Sequence, residues 1–153
     1  MNWLNILISA CLLGVNCKYN GDNNKVDSII EQMNTISFIP VCPEQLGGLT
    51  TPRLPAEIIR AASIVNKEGY DVTQQFEFGA KETLRLGKMY NCKYAILKER
   101  SPSCGSNQIY DGSFQGKVKQ GEGVTASLLK QNGIKVYSEE NFEELIKIVK
   151  GRH

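Results

Sequence analysis

Apolar residues along the chain fall into short unbroken runs that alternate with runs spaced three or four apart. Residues 4–9 form a β-rich run and predict a first, buried strand. After the turn signal Asn20-Gly21-Asp22, Val26, Ile29, Ile30 and Met33 recur at i, i+3, i+4 and i+7, one face of a helix with Asp22 or Asn23 as its N-cap. Residues 38–41 predict a second strand, followed by Cys42-Pro43-Glu44 and a Gly-, Thr- and Pro-rich loop through Pro55, long enough to be functional. Residues 62–65, the turn Lys67-Glu68-Gly69 and residues 70–72 read as a small hairpin. From Thr73 to about Tyr90, the spacing of Phe76, Ala80, Leu84 and Gly87 predicts a longer helix that packs closely where its residues are small. Residues 94–97 form a third strand, which runs into an irregular polar segment over 98–106. Residues 124–129 read as helix and 134–137 as a fourth strand. Ser138 then caps a last helix with Phe142, Leu145, Ile146 and Val149 inward. Glu139 and Glu140 stand in its first turn and Lys147 and Lys150 in its last, the order that suits the helix dipole.

Strands alternating with helices predict an α/β fold: a mostly parallel sheet with helices on both faces and right-handed crossovers, of the Rossmann or flavodoxin-like kind. The expected spatial order of the four strands is 2-1-3-4. A length of 153 residues, without repeats or linkers, fits a single domain over residues 1–153. This arrangement has a geometric consequence. Cys11 follows the first strand, Cys42 the second and Cys104 the third, so all three lie at the carboxyl edge, where open α/β sheets bind ligands.

Charge narrows the partners. A formal charge of +2 leaves no electrostatic footprint for nucleic-acid binding, so a small-molecule partner fits better, with tRNA left open. The longest apolar stretch, residues 4–15, is interrupted by Asn5 and Ser9 and falls short of the roughly 20 residues of a membrane span. No Lys or Arg precedes Lys18, against a secretory signal, and the expected location is the cytoplasm. The pattern does not fix an oligomeric state.

Cysteine is the informative residue. Five thiols at 11, 17, 42, 92 and 104, an odd number in a reducing compartment, argue against a disulfide framework. His153 is the sole histidine and sits at the terminus, which removes Cys-His dyads and Ser-His-Asp triads. Three thiols from three loops are compatible with a soft metal or iron–sulfur centre, with buried structural thiols, or with a reactive-thiol enzyme. Cys17 reads as a spare thiol near the site, with a fourth ligand as the alternative, and Cys92 as structural, at the opposite end of the sheet. Gly121-Glu122-Gly123 reads as a tight turn, and Gly47-Gly48 as loop geometry that lets backbone approach the cysteines.

Several motifs occur together and in order: Ser9-Ala10-Cys11-Leu12-Leu13-Gly14, Lys18-Tyr19-Asn20-Gly21, Pro40-Val41-Cys42-Pro43-Glu44-Gln45-Leu46-Gly47-Gly48-Leu49, Pro52-Arg53, Lys98-Glu99-Arg100-Ser101-Pro102-Ser103-Cys104-Gly105-Ser106, Ile109-Tyr110-Asp111-Gly112 and Gly121-Glu122-Gly123-Val124-Thr125-Ala126. From about residue 5 to 140 the chain resembles a bacterial family first catalogued as a domain of unknown function, which includes the 2-thiouracil desulfurases. Lys18 and Asn20 stand where that family more often has Arg and Asp. The resemblance implies a [4Fe-4S] cluster held by Cys11, Cys42 and Cys104, with one iron free for substrate sulfur. It also implies a catalytic carboxylate and serine at Glu44 and Ser101. The implied activity is conversion of a thiolated pyrimidine to its oxo form with release of sulfide, by hydrolytic, redox-neutral cleavage of the carbon–sulfur bond. Tyr110 could stack on such a ring or simply pack. For Glu44 a salt bridge to Arg53 or Arg100 is the alternative, and for Ser101 a turn-forming Ser-Pro. A non-catalytic cluster-binding module and an iron-free thiol redox enzyme remain the competing functions.

Overall fold

The computed structural model describes residues 4–60 and 63–151. Strand β1 (Asn5–Ser9) buries Ile6, Leu7 and Ile8 completely, so successive residues meet apolar partners on both faces, as a central parallel strand requires. It ends in a 3₁₀ turn, Ala10–Leu13, closed by Gly14 at φ 94°. Helix α1 (Asp27–Ile30) is one turn long and continues as a second 3₁₀ turn, Glu31–Asn34. Strand β2 (Ser37–Val41) and the one-turn helix α2 (Pro43–Leu46) follow. Then come an antiparallel ribbon of β3 (Ala56–Ile58) and β4 (Ile64–Asn66), the long helix α3 (Thr73–Met89), and strand β5 (Tyr94–Leu97). A second antiparallel ribbon, β6 (Gln108–Tyr110) and β7 (Val118–Gln120), precedes α4 (Val124–Gln131), β8 (Lys135–Ser138) and α5 (Phe142–Lys150).

The main sheet has the order β2-β1-β5-β8 with every pairing parallel, which is the expected 2-1-3-4 arrangement. On one face Ile6, Ile8 and Ile96 pack with Ile29 and the inward stripe of α5, Phe142, Leu145, Ile146 and Val149. On the other, Leu7, Ala95 and Leu97 pack with Ala126 and Leu129 of α4 and with Leu84 of α3. Each fully buried Leu or Ile contributes about 1.5–3 kcal/mol, so these two layers fix where the strands end. The carboxyl ends of β1, β2 and β5 therefore open on one side of a rigid base.

The structure departs from the expected elements in four places. The helix expected over Val26 to Met33 shrinks to α1, with Val26 as its N-cap, Ile29 alone fully buried and Met33 53% exposed. Asp22 and Asn23 are not caps because their side chains accept bonds from the N–H groups of Asn23 and Lys25, local turns that compete with helix. The expected hairpin over 62–72 forms, with an antiparallel bridge between Val65 and Asp71 and bonds from Asn66 N–H to the Tyr70 carbonyl at 2.9 Å and from Val72 N–H to the Ile64 carbonyl at 2.8 Å, but β4 also pairs along its other edge with β3, which the pattern did not predict; Ala62, like His153, lies outside the described residues. Asn141, not Ser138, is the N-cap of α5, so Glu139 and Glu140 precede the helix and Glu143 and Glu144 occupy its first turn.

The fourth departure concerns Gly47. It serves the contact between two helices and not an approach to the cysteines. A Cβ on Gly47 would lie 1.9 Å from the Gln75 carbonyl oxygen, and one on Gly79 1.8 Å from that of Pro43. Helices α2 and α3 thus touch backbone to backbone, which seats the segment carrying Cys42 and Glu44 on the longest helix of the fold.

Candidate active site

Cys11 sits in the 3₁₀ turn after β1, and Cys42 immediately precedes α2, where Pro43 occupies the first helical position. Cys104 lies in the turn after β5, whose N–H groups are fixed locally. All three line one cavity of about 440 Å³, within the range of small-ligand sites. Cys17 joins them there, buried, its carbonyl accepting from the Cys42 thiol at 3.7 Å and its own thiol close to those of Cys11 and Cys42. That thiol draws Cys11 and Cys42 below the ordinary cysteine value and is itself pushed up in return. Burial pushes Cys104 up to about 12, against hydrogen bonds from Ser103 and Ser9. Cys92 is different: it precedes β5 at the far end of the sheet, lines no part of the cavity, and burial raises it to about 11.

The donor set is sulfur from several sides of one cavity. Among the described residues no three Cys, His, Asp or Glu side chains are spaced to hold a single metal ion, which would need donors gathered within roughly 2.0–2.3 Å of one centre. Thiols spread around a cavity fit a larger, multi-iron group, the kind cysteine thiolates bind.

Beside the thiols runs a chain of polar groups. Glu44 Oε1 accepts from Arg53 Nε at 3.0 Å, a salt bridge in which both side chains are largely buried. Glu44 Oε2 accepts from Ser103 Oγ at 3.2 Å. Ser103 Oγ is in turn 3.0 Å from Ser101 Oγ and 3.5 Å from Cys104 Sγ. Arg53 also donates through Nη2 to the Cys17 carbonyl at 2.9 Å and through Nη1 to Thr51 Oγ1 at 2.8 Å, so one guanidinium ties the Cys17 loop to Glu44. The salt bridge raised as an alternative for Glu44 is therefore present, and it leaves the second carboxylate oxygen committed to Ser103.

Ser101 lines the cavity, and its Oγ accepts from the N–H groups of Ser103 at 3.1 Å and Cys104 at 2.8 Å. Its turn-forming role is real and it orients Cys104. Ser103, fully buried between Glu44 and Cys104, has the more central hydroxyl and was not singled out from the sequence. The available signal was its position next to a cysteine in a Ser-Pro-Ser-Cys run.

Glu99 is the other group the pattern did not expose. Its Oε1 accepts from the N–H groups of Ser106 at 2.7 Å, Asn107 at 3.0 Å and Gln108 at 3.2 Å, gathering the loop that carries Cys104 around one oxygen. Burial raises its pKa, but these amides and that of Arg100 outweigh burial and hold it below the usual carboxylate value. Lys98 bridges the Glu99 carbonyl at 2.9 Å and Glu139 Oε2 at 2.8 Å while lining the cavity, which brings a positive charge near Cys11. Tyr110 also lines the cavity, and Gly123, at the end of the Gly-Glu-Gly turn, is the N-cap of α4.

The chain that builds this thiol-lined cavity at the carboxyl edge of a parallel sheet matches a known family. Residues 6–141 match the family described as 2-thiouracil desulfurase, and the chain belongs to it. YbbK of Bacillus subtilis (strain 168) is 45% identical over 150 residues, covering 92% of this chain and 99% of YbbK. The solved structure of the [4Fe-4S]-dependent thiouracil desulfidase TudS matches with a TM-score of 0.91 at 40% identity, covering 96% of this chain and 98% of that one.

Proposed function

We propose that this protein is a [4Fe-4S]-dependent desulfurase that converts a thiolated pyrimidine of the 2-thiouracil type to its oxo base and releases sulfide. The observation that carries the reading is the convergence of Cys11, Cys42 and Cys104 with Glu44 on a single cavity. The three cysteines would hold the cluster, and when bound it supplies a sulfur-seeking Lewis-acidic iron that polarises the thiocarbonyl.

The remaining work falls to the chain's own groups. Exchanging C=S for C=O consumes one water and releases one hydrogen sulfide with no change in oxidation level, so protons must move and electrons need not. Glu44, at the cavity wall, takes the proton from the attacking water and returns it as the carbon–sulfur bond breaks. Arg53 fixes the carboxylate through Oε1, leaving Oε2 as the proton-handling oxygen. Ser103 passes hydrogen-bond polarity between Oε2 and the Cys104 side of the cavity, and Ser101 holds both residues in place.

The partner on this reading is a small heterocycle and not an RNA, in keeping with the cavity's size and a formal charge of only +2. Unpaired thiols around an iron–sulfur centre suit a reducing compartment, which supports a cytoplasmic reaction. No helix among the described residues is long and apolar enough to cross a membrane. The test is turnover of 2-thiouracil by anaerobically reconstituted protein in ¹⁸O-labelled water with no reductant added. Uracil carrying the label is the expected product; a stoichiometric demand for electrons, or unlabelled uracil, would overturn the hydrolytic route.

A further inference from the structure

Besides Glu44 and Glu99, the cavity wall contains a further buried carboxylate that the roles assigned so far do not employ. Glu57, on β3, is 8% exposed and lines the cavity. Its Oε1 accepts from the N–H groups of Gly112 at 3.0 Å and Phe114 at 3.1 Å. Its Oε2 has no hydrogen-bond partner among the described residues. That oxygen is not sealed from solvent, so it stays available to a donor that enters the cavity Glu57 lines.

The loop that holds Glu57 is built to do so. The Asp111 N–H bonds the Lys117 carbonyl at 2.9 Å to close the turn, and Asp111 Oδ1 accepts from Ser113 N–H. Phe114, a bulky residue, adopts φ 57°, a left-handed conformation that costs energy for any residue but glycine. Gly112 stands at φ 94°, where a Cβ would lie 2.9 Å from the Ile58 carbonyl oxygen. The strain is spent bringing two N–H groups onto the same oxygen, which fixes the carboxylate and leaves the other oxygen to the cavity. Phe114 and Tyr110 line the cavity beside it, so its surroundings suit a flat ring.

We propose that Glu57 is a substrate-recognition residue whose Oε2 accepts a ring N–H flanking the thiocarbonyl, selecting cyclic thioamides that carry that N–H over N-substituted ones. The inference rests on the desulfurase reading and names the substrate edge this site reads. A site built to accept an N–H rejects an analogue lacking it far more strongly than an apolar pocket rejects a methyl group. Because 2-thiouracil has an N–H on each side of its thiocarbonyl, Glu57 distinguishes its two N-methyl isomers.

The test compares 2-thiouracil, 1-methyl-2-thiouracil and 3-methyl-2-thiouracil with wild-type and Glu57→Gln holoenzyme. In Glu57→Gln the amide oxygen must stay on the Gly112 and Phe114 N–H groups, so the loop survives and an NH₂ donor replaces the acceptor facing the cavity. Wild type should prefer 2-thiouracil over one isomer by about 10-fold or more in kcat/KM, the value of a hydrogen bond to a charged group. Glu57→Gln should raise KM for 2-thiouracil and compress that preference to within about 3-fold, because the acceptor is gone while the space is unchanged. Undiminished discrimination in Glu57→Gln would mean that the wall's shape reads the substrate, and equal use of both isomers by wild type would mean that no N–H is read there; either result overturns the proposal. Binding of uracil, which carries the same N–H groups, is measured alongside by calorimetry on the holoprotein. Absence of desulfuration with Glu57-dependent uracil binding would sink the desulfurase reading and leave this inference standing, whereas normal turnover with Glu57-independent binding would do the reverse.

Discussion

Glu44 Oε2 and Ser103 Oγ meet at 3.2 Å although 59 positions separate them in sequence. The bond joins the loop that carries Cys42 to the loop that carries Cys104, so the proposed proton carrier and two proposed cluster ligands share one hydrogen-bonded unit. Substitutions at these residues should therefore separate ligation, proton transfer and positioning by their readouts.

Ligation is the simplest to isolate. Cys11→Ala, Cys42→Ala and Cys104→Ala should each lose the broad visible absorption and most of the iron and sulfide of anaerobically reconstituted protein. Cys92→Ala should keep both, since Cys92 lies away from the cavity. Cys17→Ala should also keep them if three cysteines suffice to hold the cluster. Complete bleaching of Cys17→Ala would make Cys17 a fourth ligand.

Proton transfer is assigned to Glu44. Glu44→Gln keeps acceptor capacity for Arg53 and preserves shape, while removing the base. Turnover should fall by about 10²-fold or more, the range typical of general acid–base groups. Iron content should match wild type. Unchanged turnover in a fully loaded variant would reduce Glu44 to its salt bridge with Arg53.

The two serines should part company. Ser103→Ala removes the hydroxyl that touches both Glu44 and Cys104 and should lower kcat about 10-fold or more, the value of a hydrogen bond to a charged group, at normal iron content. Ser101→Ala leaves the N–H groups of Ser103 and Cys104 without their acceptor, so its first effect should be on stability and cluster retention, about 1–3 kcal/mol in urea unfolding. Identical profiles for the two variants would contradict this division.

Glu99 gives a pH dependence with a definite sign. Its folded value lies below the usual one because backbone N–H groups outweigh burial. Its contribution is therefore complete above the unfolded value of about 4.3 and disappears as pH falls through the lower folded value. Glu99→Gln should be less stable than wild type by about 1.5–3 kcal/mol at pH 7, and the gap should close in increasingly acid solution. Urea midpoints at pH 7 and pH 3 measure it; an equal gap at both would remove Glu99 as the acid-sensitive anchor.

Much of this architecture was legible because periodicity reports burial. The stripe Phe142, Leu145, Ile146 and Val149 and the runs of β1 and β5 are buried as the spacing predicts, and placing cysteines after strands put them at one edge. Strand β3 and the ribbon β6–β7 escaped because each strand is three residues long, too short for alternation to register, and Glu57 links them by bonds spanning 55 and 57 positions. Glu99 and Ser103 were illegible as anchors for a related reason, whereas the bridge from Arg53 to Glu44 was among the sequence readings. A loop polar residue has no period, and its role depends on which distant amide or carboxylate the fold brings to it.

The Gly47–Gly79 contact has a consequence for how damage to this protein would present itself. Any side chain at either position would wedge α2 away from α3 and tilt the segment bearing Cys42 and Glu44, although neither glycine belongs to the cavity wall. Such a variant would still build its sheet, whose layers lie elsewhere. It would be recovered in normal yield, colourless and poor in iron, and could be mistaken for the product of a host that fails to deliver clusters.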